Sequence, residues 1–493
     1  MVKQRRRMLQ TADPLRPRSR PVSWARRQPT RGWRHPSAQV RARVPKGALT
    51  VGTRLRRLLW WWWPWALISI WAVIYDNWIW AISTGVMALL AYLTAIAAPP
   101  PRYGLSHEFE VESEEFLNTI AGASSAPFVA GNSVELLNNG DAFYPRMLEA
   151  IEDADVSITI EAYIYWAGEI GLRFGRALAE RARAGVTVKI LLDAIGSASI
   201  GREILKTLED GGCQVAWYNP IHWYTIGRFN NRTHRKSLIV DGRIAFTGGA
   251  GIADHWKGNA RGPEEWRDMQ VRLAGPAVTP LQAGFAHNWQ KTTGELLSGE
   301  IYYPSIESTG RLSAQTLMSS PESGGSTVRI MYYLSIVCAR RSIYIANPYF
   351  IPDAVAIDTL IDARKRGIDV RIMVSGDRND NWLARHNSRR LFGPLLKAGI
   401  QIFEYDRTML HHKTMVCDGV WLTIGTTNFD NRSFAHNEES NVCVFDRALA
   451  RELESIFLDD MAVCERIELG KWKQRGLWAR TQEFLASFLE EQA

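Results

Sequence analysis

Two ten-residue segments constrain this chain more than any other feature: THRKSLIVDG at 233–242 and LHHKTMVCDG at 410–419. His234, Lys236 and Asp241 of the first recur as His411, Lys413 and Asp418 of the second at one constant offset. Alternate residues of an extended strand share a face, so the His and Lys of each segment point one way and the intervening Arg235 or His412 the other. One charged cluster at the mouth of an apolar run is ordinary solvation of a strand end. Two in one register call for more, because a duplicated strand end has no need of an imidazole and an ammonium on the same face.

The segments sit in a larger repeat. VSITIEAYIY, LRFGRALAERARAG, VTVKILLDAIGS, ILKTLEDGG and CQVAWYN read as strand, helix, strand, helix, strand, and SIYIANPYFI, AIDTLIDARKRG, IDVRIMVSGD, RRLFGPLLKAG and IQIFEYD repeat that order. Helices closing on Gly before β-branched runs mark the boundaries. The pattern predicts an α/β fold of two duplicated units, 127–310 and 325–465, with mixed, mostly parallel sheets flanked by helices and a site at their pseudo-two-fold interface. An amphipathic helix is expected over 466–493.

The net charge of +8 suggests nucleic acid until it is located. Residues 1–57 are rich in Arg and Pro and contain a single acid, Asp13, while the remainder is net acidic. The body lacks the basic stripe of a nucleic-acid-binding domain, and the tail reads as disordered and cytoplasmic. Residues 58–98 follow with LLWWWWPWALISIWAVIY and WIWAISTGVMALLAYLTAIA on either side of Asp76-Asn77. Their length and Trp belts predict a transmembrane hairpin, 58–75 and 78–98, which returns the body to the cytoplasmic side. Five cysteines without framework spacing suit a reducing compartment.

If the halves pack about an axis through the two strand starts, two His and two Lys converge, and two facing ammonium groups call for an anion such as a phosphate diester. One neutral imidazole can attack phosphorus while the other, protonated, serves the departing alkoxide. No metal and no cofactor is expected, since no carboxylate cluster of the two-metal kind lies near either motif. Asp268 in EEWRDMQVRL and Glu439 in NEESNV are candidates to orient the imidazoles. Asn428 and Ser433 are candidates to bind phosphate beside Lys236 and Lys413, with Thr426 a weaker one. Asp241 and Asp418 complete the catalytic motifs, but lie a strand of ~17 Å from the same phosphate. They are expected to brace the turn and to reach the opposite half.

The duplicated HxKxxxxD with its trailing GTTN resembles the phospholipase D superfamily over residues 127–465. Within it, NNRTHRKSLIVDGRIAFTGG, the WRD of Trp266–Asp268, the FIPD of Phe350–Asp353 and MLHHKTMVCDG are similar to bacterial cardiolipin synthases. The resemblance implies a phosphatidyl group held on His234 as nucleophile, with His411 as general acid/base. It passes to a second phosphatidylglycerol, giving cardiolipin and glycerol at a bacterial inner membrane, with phospholipid and bilayer as partners and no nucleic acid. Hydrolysis to phosphatidic acid uses the same residues and stays open, as does a non-enzymatic membrane scaffold with relic motifs. Gly251 departs from the pattern, standing where the second half has Asn428; the backbone N–H groups of Gly248 to Gly251, Gly249 among them, are the expected substitute. A membrane-facing mouth could use Trp217, Tyr218, Trp223 and Tyr224, or Trp472, Leu477, Trp478, Phe484 and Phe488, although core packing is favoured for the C-terminal set.

Overall fold

The computed structural model describes residues 62–75, 77–95, 103–105, 107–220, 231–321 and 327–487. The basic tail, Trp223, Tyr224 and Phe488 lie outside the described residues. The first half contributes β1 (Val129–Asn138), β2 (Ser157–Ala162), β3 (Thr187–Asp193), β4 (Gln214–Tyr218), β5 (Arg232–Thr233), β6 (Ser237–Val240), β7 (Ile244–Gly248) and β8 (Met269–Ala274). The second contributes β9 (Leu312–Ser319), β10 (Ser342–Ala346), β11 (Asp369–Ser375), β12 (Gln401–Tyr405), β13 (Lys413–Cys417), β14 (Trp421–Gly425), β15 (Asn437–Phe445) and β16 (Glu465–Arg466).

These strands form one sheet in the order β16-β12-β11-β10-β13-β14-β15-β9-β1-β8-β7-β6-β2-β3-β4, with β5 paired to β15. From the β9–β1 seam outward the two arms match strand for strand as far as β4 and β12, as a duplication about a pseudo-two-fold axis requires, and β16 is added beyond β12. The expectation of a mostly parallel sheet is corrected here. Only the helix-linked trios β2–β4 and β10–β12 are parallel along this path, and the seam, the motif strands and their neighbours are antiparallel.

The cause is in the motif's own last two residues. Asp241 and Gly242 have φ of 52° and 62°, and Asp418 and Gly419 have 55° and 60°. Two consecutive left-handed residues make the tight turn that Asp-Gly favours, and a connection of three residues, from Val240 to Ile244 and from Cys417 to Trp421, can only join antiparallel strands. Each Asp also ties down the start of a neighbouring strand. Asp241 accepts the N–H groups of Asp155, Val156 and Ser157 at 2.8–3.1 Å, and Asp418 those of Arg340, Arg341 and Ser342 at 2.7–2.9 Å. Both brace their own half, since every N–H that each carboxylate accepts comes from that half. Asp418→Ala is expected to lower unfolding free energy by ~3 kcal/mol in denaturant titration, since three bonds to a charged acceptor vanish together. The rate of the folded fraction should stay close to the parent's.

Alternation along the motif strands divides the core. Leu238 and Val240 join a cluster beneath the first half's helices, and Met415 and Cys417 join its second-half counterpart. Ile239 and Val416, facing the other way, enter a third cluster drawn from both halves, with Phe285, Ile424 and Val442. This shared core makes the relative position of the halves a matter of packing rather than of a linker. The cysteines are free, and four of the five are buried.

Ahead of the body, helices Trp62–Ile74 and Trp78–Ala95 pack as a hairpin. Ala72, Ala81, Thr84 and Ala88 are buried, Ser69 donates to the Ala81 carbonyl at 2.6 Å, and Leu67, Trp71, Ile74, Ile79 and Ile82 face outward. Small residues inside and large apolar ones outside invert the pattern of a water-soluble pair. Among the described residues no helix is long and apolar enough to cross a membrane.

Candidate active site

The motif segments meet where each half lends a short piece of backbone to the other. β5 runs parallel to the start of β15, and the His234 N–H donates to the Glu438 carbonyl at 2.9 Å. Across the axis Arg267 bridges Leu410, and the His411 N–H donates to the Arg267 carbonyl at 2.7 Å. The residue after each lending carbonyl is a carboxylate, and it meets the imidazole it seats. His234 Nδ1 lies 3.0 and 3.1 Å from the Glu439 oxygens, and His411 Nδ1 lies 2.8 Å from Asp268 Oδ2. The orienting partners therefore cross: each His takes its carboxylate from the opposite half.

Both carboxylates are sealed, at 0% exposure. Asp268 accepts from Trp256 Nε1 and the Met269 N–H, both at 2.8 Å. Glu439 accepts from the Thr426 hydroxyl and from Asn437 Nδ2 at 3.3 Å. Gly249 explains how Asp268 fits, since a Cβ there would stand 2.1 Å from Asp268 Oδ1. Its N–H is already donated to the Met269 carbonyl at 3.1 Å. Gly249 thus makes room for a carboxylate and has no amide left for phosphate, which corrects the role expected of it.

Lys236 donates to the His234 carbonyl at 2.8 Å and lies 5.3 Å from the Tyr163 ring centroid. Lys413 donates to the His411 carbonyl and sits 3.2 Å from both ring nitrogens of His411. Arg235 and His412 turn to the other face, Arg235 pairing with Glu438 at 2.6 Å and His412 standing 3.7 Å from Asp460. His234, Lys236, His411 and Asn428 line one cavity of roughly 240 Å³, together with Tyr163, Arg232, Tyr349, Asp380, Asp430, Arg432 and Asn437. Lys413 lies beneath His411 and outside that lining.

Other expectations are redirected. The Ser433 N–H closes on Asp430, which caps helix Asn431–Ala435, and Ser433 does not line the cavity. Thr426 spends its hydroxyl on Glu439. No side chain fits at Gly251, because a Cβ would meet the Ile164 carbonyl at 2.8 Å and the Trp256 ring at 3.0 Å. Asn428 thus has no first-half counterpart, and Ile164 occupies that wall. Tyr218, proposed for the mouth, is core at 1% exposure. The sequence reading missed Arg232, Arg432 and Asn437. Arg232 and Asn437 stand two residues before His234 and Glu439, on the same strand face, and that parity was the available signal.

Electrostatics keep the resting imidazoles neutral. Burial, with Lys236 nearby, lowers His234 to about 4 against the pull of Glu439. Burial and the ammonium groups of Lys413 and Lys236 hold His411 well below its ordinary value. With Nδ1–H donated to carboxylate, Nε2 of each ring keeps its lone pair. Burial lowers Lys236 to about 7, helped by Lys413, and lowers Lys413 to about 8. Burial raises Asp268 and would raise Glu439, but the interaction with His234, the Lys236 charge and the bond from Thr426 bring Glu439 below its usual range. Among the described residues no group of three or more His, Cys, Asp or Glu could hold a metal ion.

These shifts carry a sign. An anion stabilises the ammonium forms, so orthovanadate binding near pH 8 should take up protons that the two lysines have begun to lose, and its affinity should fall as pH rises through about 7 to 8. Near pH 6 the lysines are already protonated and contribute no uptake. Calorimetry in buffers of different ionisation enthalpy reads this directly, and zero uptake at pH 8 would contradict it.

A family model described as "Cardiolipin synthase, PLD-like domain" matches residues 147–259 and 335–461. The chain is 31% identical over 382 residues to the cardiolipin synthase of Staphylococcus aureus (strain Mu50 / ATCC 700699), covering 77% of each. It is 32% identical over 381 residues to the major cardiolipin synthase ClsA of Bacillus subtilis (strain 168), covering 77% of this chain and 79% of that one. In fold it is similar to phosphatidylserine synthase of Haemophilus influenzae Rd KW20, with a TM-score of 0.58 at 14% identity, covering 76% of this chain and 97% of that one. Identity at this level over three quarters of both chains means that the protein belongs to the cardiolipin synthase family, with its duplicated phospholipase D-like domain.

Proposed function

We propose that this chain is a membrane-bound phosphatidyltransferase that makes cardiolipin and glycerol from two molecules of phosphatidylglycerol. The observation that carries the reading is the crossed pairing, which points two uncharged Nε2 atoms and Lys236 into one cavity. His234 Nε2 attacks phosphorus and forms the P–N bond as the P–O bond to glycerol breaks. His411, protonated once the bound phosphate offsets Lys413 and Lys236, gives its proton to the departing alkoxide. It then takes the proton from the incoming hydroxyl of the second lipid, which attacks phosphorus and frees His234. Asn428 and Lys236 are the phosphate contacts in this scheme, with Lys413 acting by its charge from beneath His411.

His234 suits the nucleophile's part because its ring is the less encumbered: each lysine donates to the carbonyl of its own His, but Lys413 also lies 3.2 Å from both ring nitrogens of His411. The inside-out hairpin of 62–95 supports attachment to the bacterial inner membrane, with the body on the cytoplasmic side. The test is to reconstitute the protein in phosphatidylglycerol vesicles and analyse the lipids. Cardiolipin with equimolar glycerol is expected. Phosphatidic acid in its place means hydrolysis, and no lipid product leaves the scaffold reading.

A further inference from the structure

The C-terminal helix Leu477–Ala486 is amphipathic with its faces reversed. Its inward positions are Ala479, Gln482, Glu483 and Ala486, small or polar, and Glu483 is 3% exposed. Its outward stripe is Leu477 at 81%, Trp478 at 71%, Thr481, Phe484 at 40% and Leu485 at 53% exposure. Polar ties hold it in this orientation. Arg475 forms a bidentate pair with Glu483 at 2.7–3.0 Å and stacks 3.6 Å above Trp472, whose ring fills the space beside Gly393. Asn387 donates to the Ala486 carbonyl at 3.0 Å. A helix that merely lacked a core would turn its stripe inward; this one is fastened facing out.

We infer that this stripe docks on an anionic lipid surface, as an interfacial contact separate from the N-terminal hairpin. Along 469–482 Arg475 is tied to Glu483 and Lys471 stands 3.6 Å from Glu465, which leaves Lys473 and Arg480 as the basic flank of the apolar stripe. Exposed Trp and Leu beside Lys and Arg are what a headgroup boundary selects. The same charge disfavours the chain's own Arg-rich tail as the occupant, and disfavours a second copy, whose basic flank would oppose it. The location suits a lipid enzyme. Helix Trp382–Lys397 runs from Asn381, which caps it and lines the catalytic cavity, to Asn387 under the C-terminal helix, ~9 Å along its axis. Trp382, next to the cavity, is 50% exposed. Docking would bring the cavity mouth to the bilayer, in line with the proposed lipid substrate but not dependent on turnover.

The test uses full-length protein with Cys464→Ser, carrying Trp478→Cys labelled with an environment-sensitive dye, and Lys206→Cys as a polar-surface control. Protein is reconstituted and the floated, vesicle-bound fraction is taken, so failure to reach the membrane cannot be mistaken for failure to dock. In phosphatidylglycerol vesicles containing headgroup-proximal spin-labelled lipid, quenching at 478 should exceed that at 206 by at least ~3-fold. It should weaken in phosphatidylcholine and on Lys473→Glu with Arg480→Glu. Equal quenching at both sites overturns the proposal. So does blue-shifted emission at 478 without lipid quenching: a second copy covers the stripe if that emission depends on protein concentration, and the chain itself if it does not.

Discussion

Replacing His234 by Ala should reduce transfer from phosphatidylglycerol by ~10⁴-fold or more, and replacing His411 by Ala by ~10³–10⁴-fold, but only the second loss should depend on the leaving group. A glycerol alkoxide needs a proton to depart, and His411 is placed to supply it. A nitrophenolate does not. With a phosphatidyl nitrophenol diester, His411→Ala should therefore release nitrophenolate in a burst equal to the enzyme concentration. It should then stall, with phosphorus on His234 and no base to activate the second hydroxyl. His234→Ala should give no burst on any substrate. A burst from His234→Ala alone would exchange the two roles. Bursts from both variants would mean that either imidazole can be phosphorylated, so the asymmetry set by Lys413 would not matter. Unchanged turnover in both would mean that the chemistry is carried by groups other than these two imidazoles.

What could be seen in the sequence was whatever repeats with a period. The pairing of His with Lys two residues on fixed a common face for the catalytic groups, and the apolar SLIV and TMVC that follow fixed their strands. Asp268 and Glu439 were visible as acids a short way past each motif. Which His each serves was not visible, because the crossing depends on the two residues of β5 and on a single bridge at Arg267, too short for any periodic signal. The parallel sheet was over-read for a related reason: strand–helix alternation was weighed, while the Asp-Gly turns that force antiparallel neighbours were treated only as motif ends. β9 fell between the two expected units, yet it is the strand that joins them. For the C-terminal set a membrane-facing mouth was weighed against core packing, and core packing was favoured. Period shows that a face exists and not what it faces, and at Leu477 and Trp478 that face is outward.

The crossed carboxylates give the second large effect. Asp268→Asn and Glu439→Gln should each lower transfer by ~10³–10⁴-fold, since an amide that donates to Nδ1 moves the ring proton to Nε2 and removes the lone pair that His234 needs for phosphorus or that His411 needs to accept the incoming hydroxyl's proton. Their effects on stability should differ, for a reason set by the neighbours. Asp268 is surrounded by fixed donors, Trp256 Nε1 and His411 Nδ1 on one oxygen and the Met269 N–H on the other. An amide has one oxygen, so in either orientation the NH₂ group introduced by Asp268→Asn faces an N–H, and a cost of ~1–3 kcal/mol follows. Glu439 is held by Asn437 on one oxygen, by the Thr426 hydroxyl on the other, and by His234 Nδ1 across both, so an amide oxygen on the Asn437 side still meets the ring N–H. That hydroxyl can turn and accept, so Glu439→Gln should unfold within ~1 kcal/mol of the parent. Thermal unfolding beside steady-state rates separates the two. Equal destabilisation would mean that Thr426 cannot reverse. Activity within tenfold of the parent, with imidazole nitrogen shifts unchanged in NMR, would mean that the carboxylates hold the fold and not the tautomer.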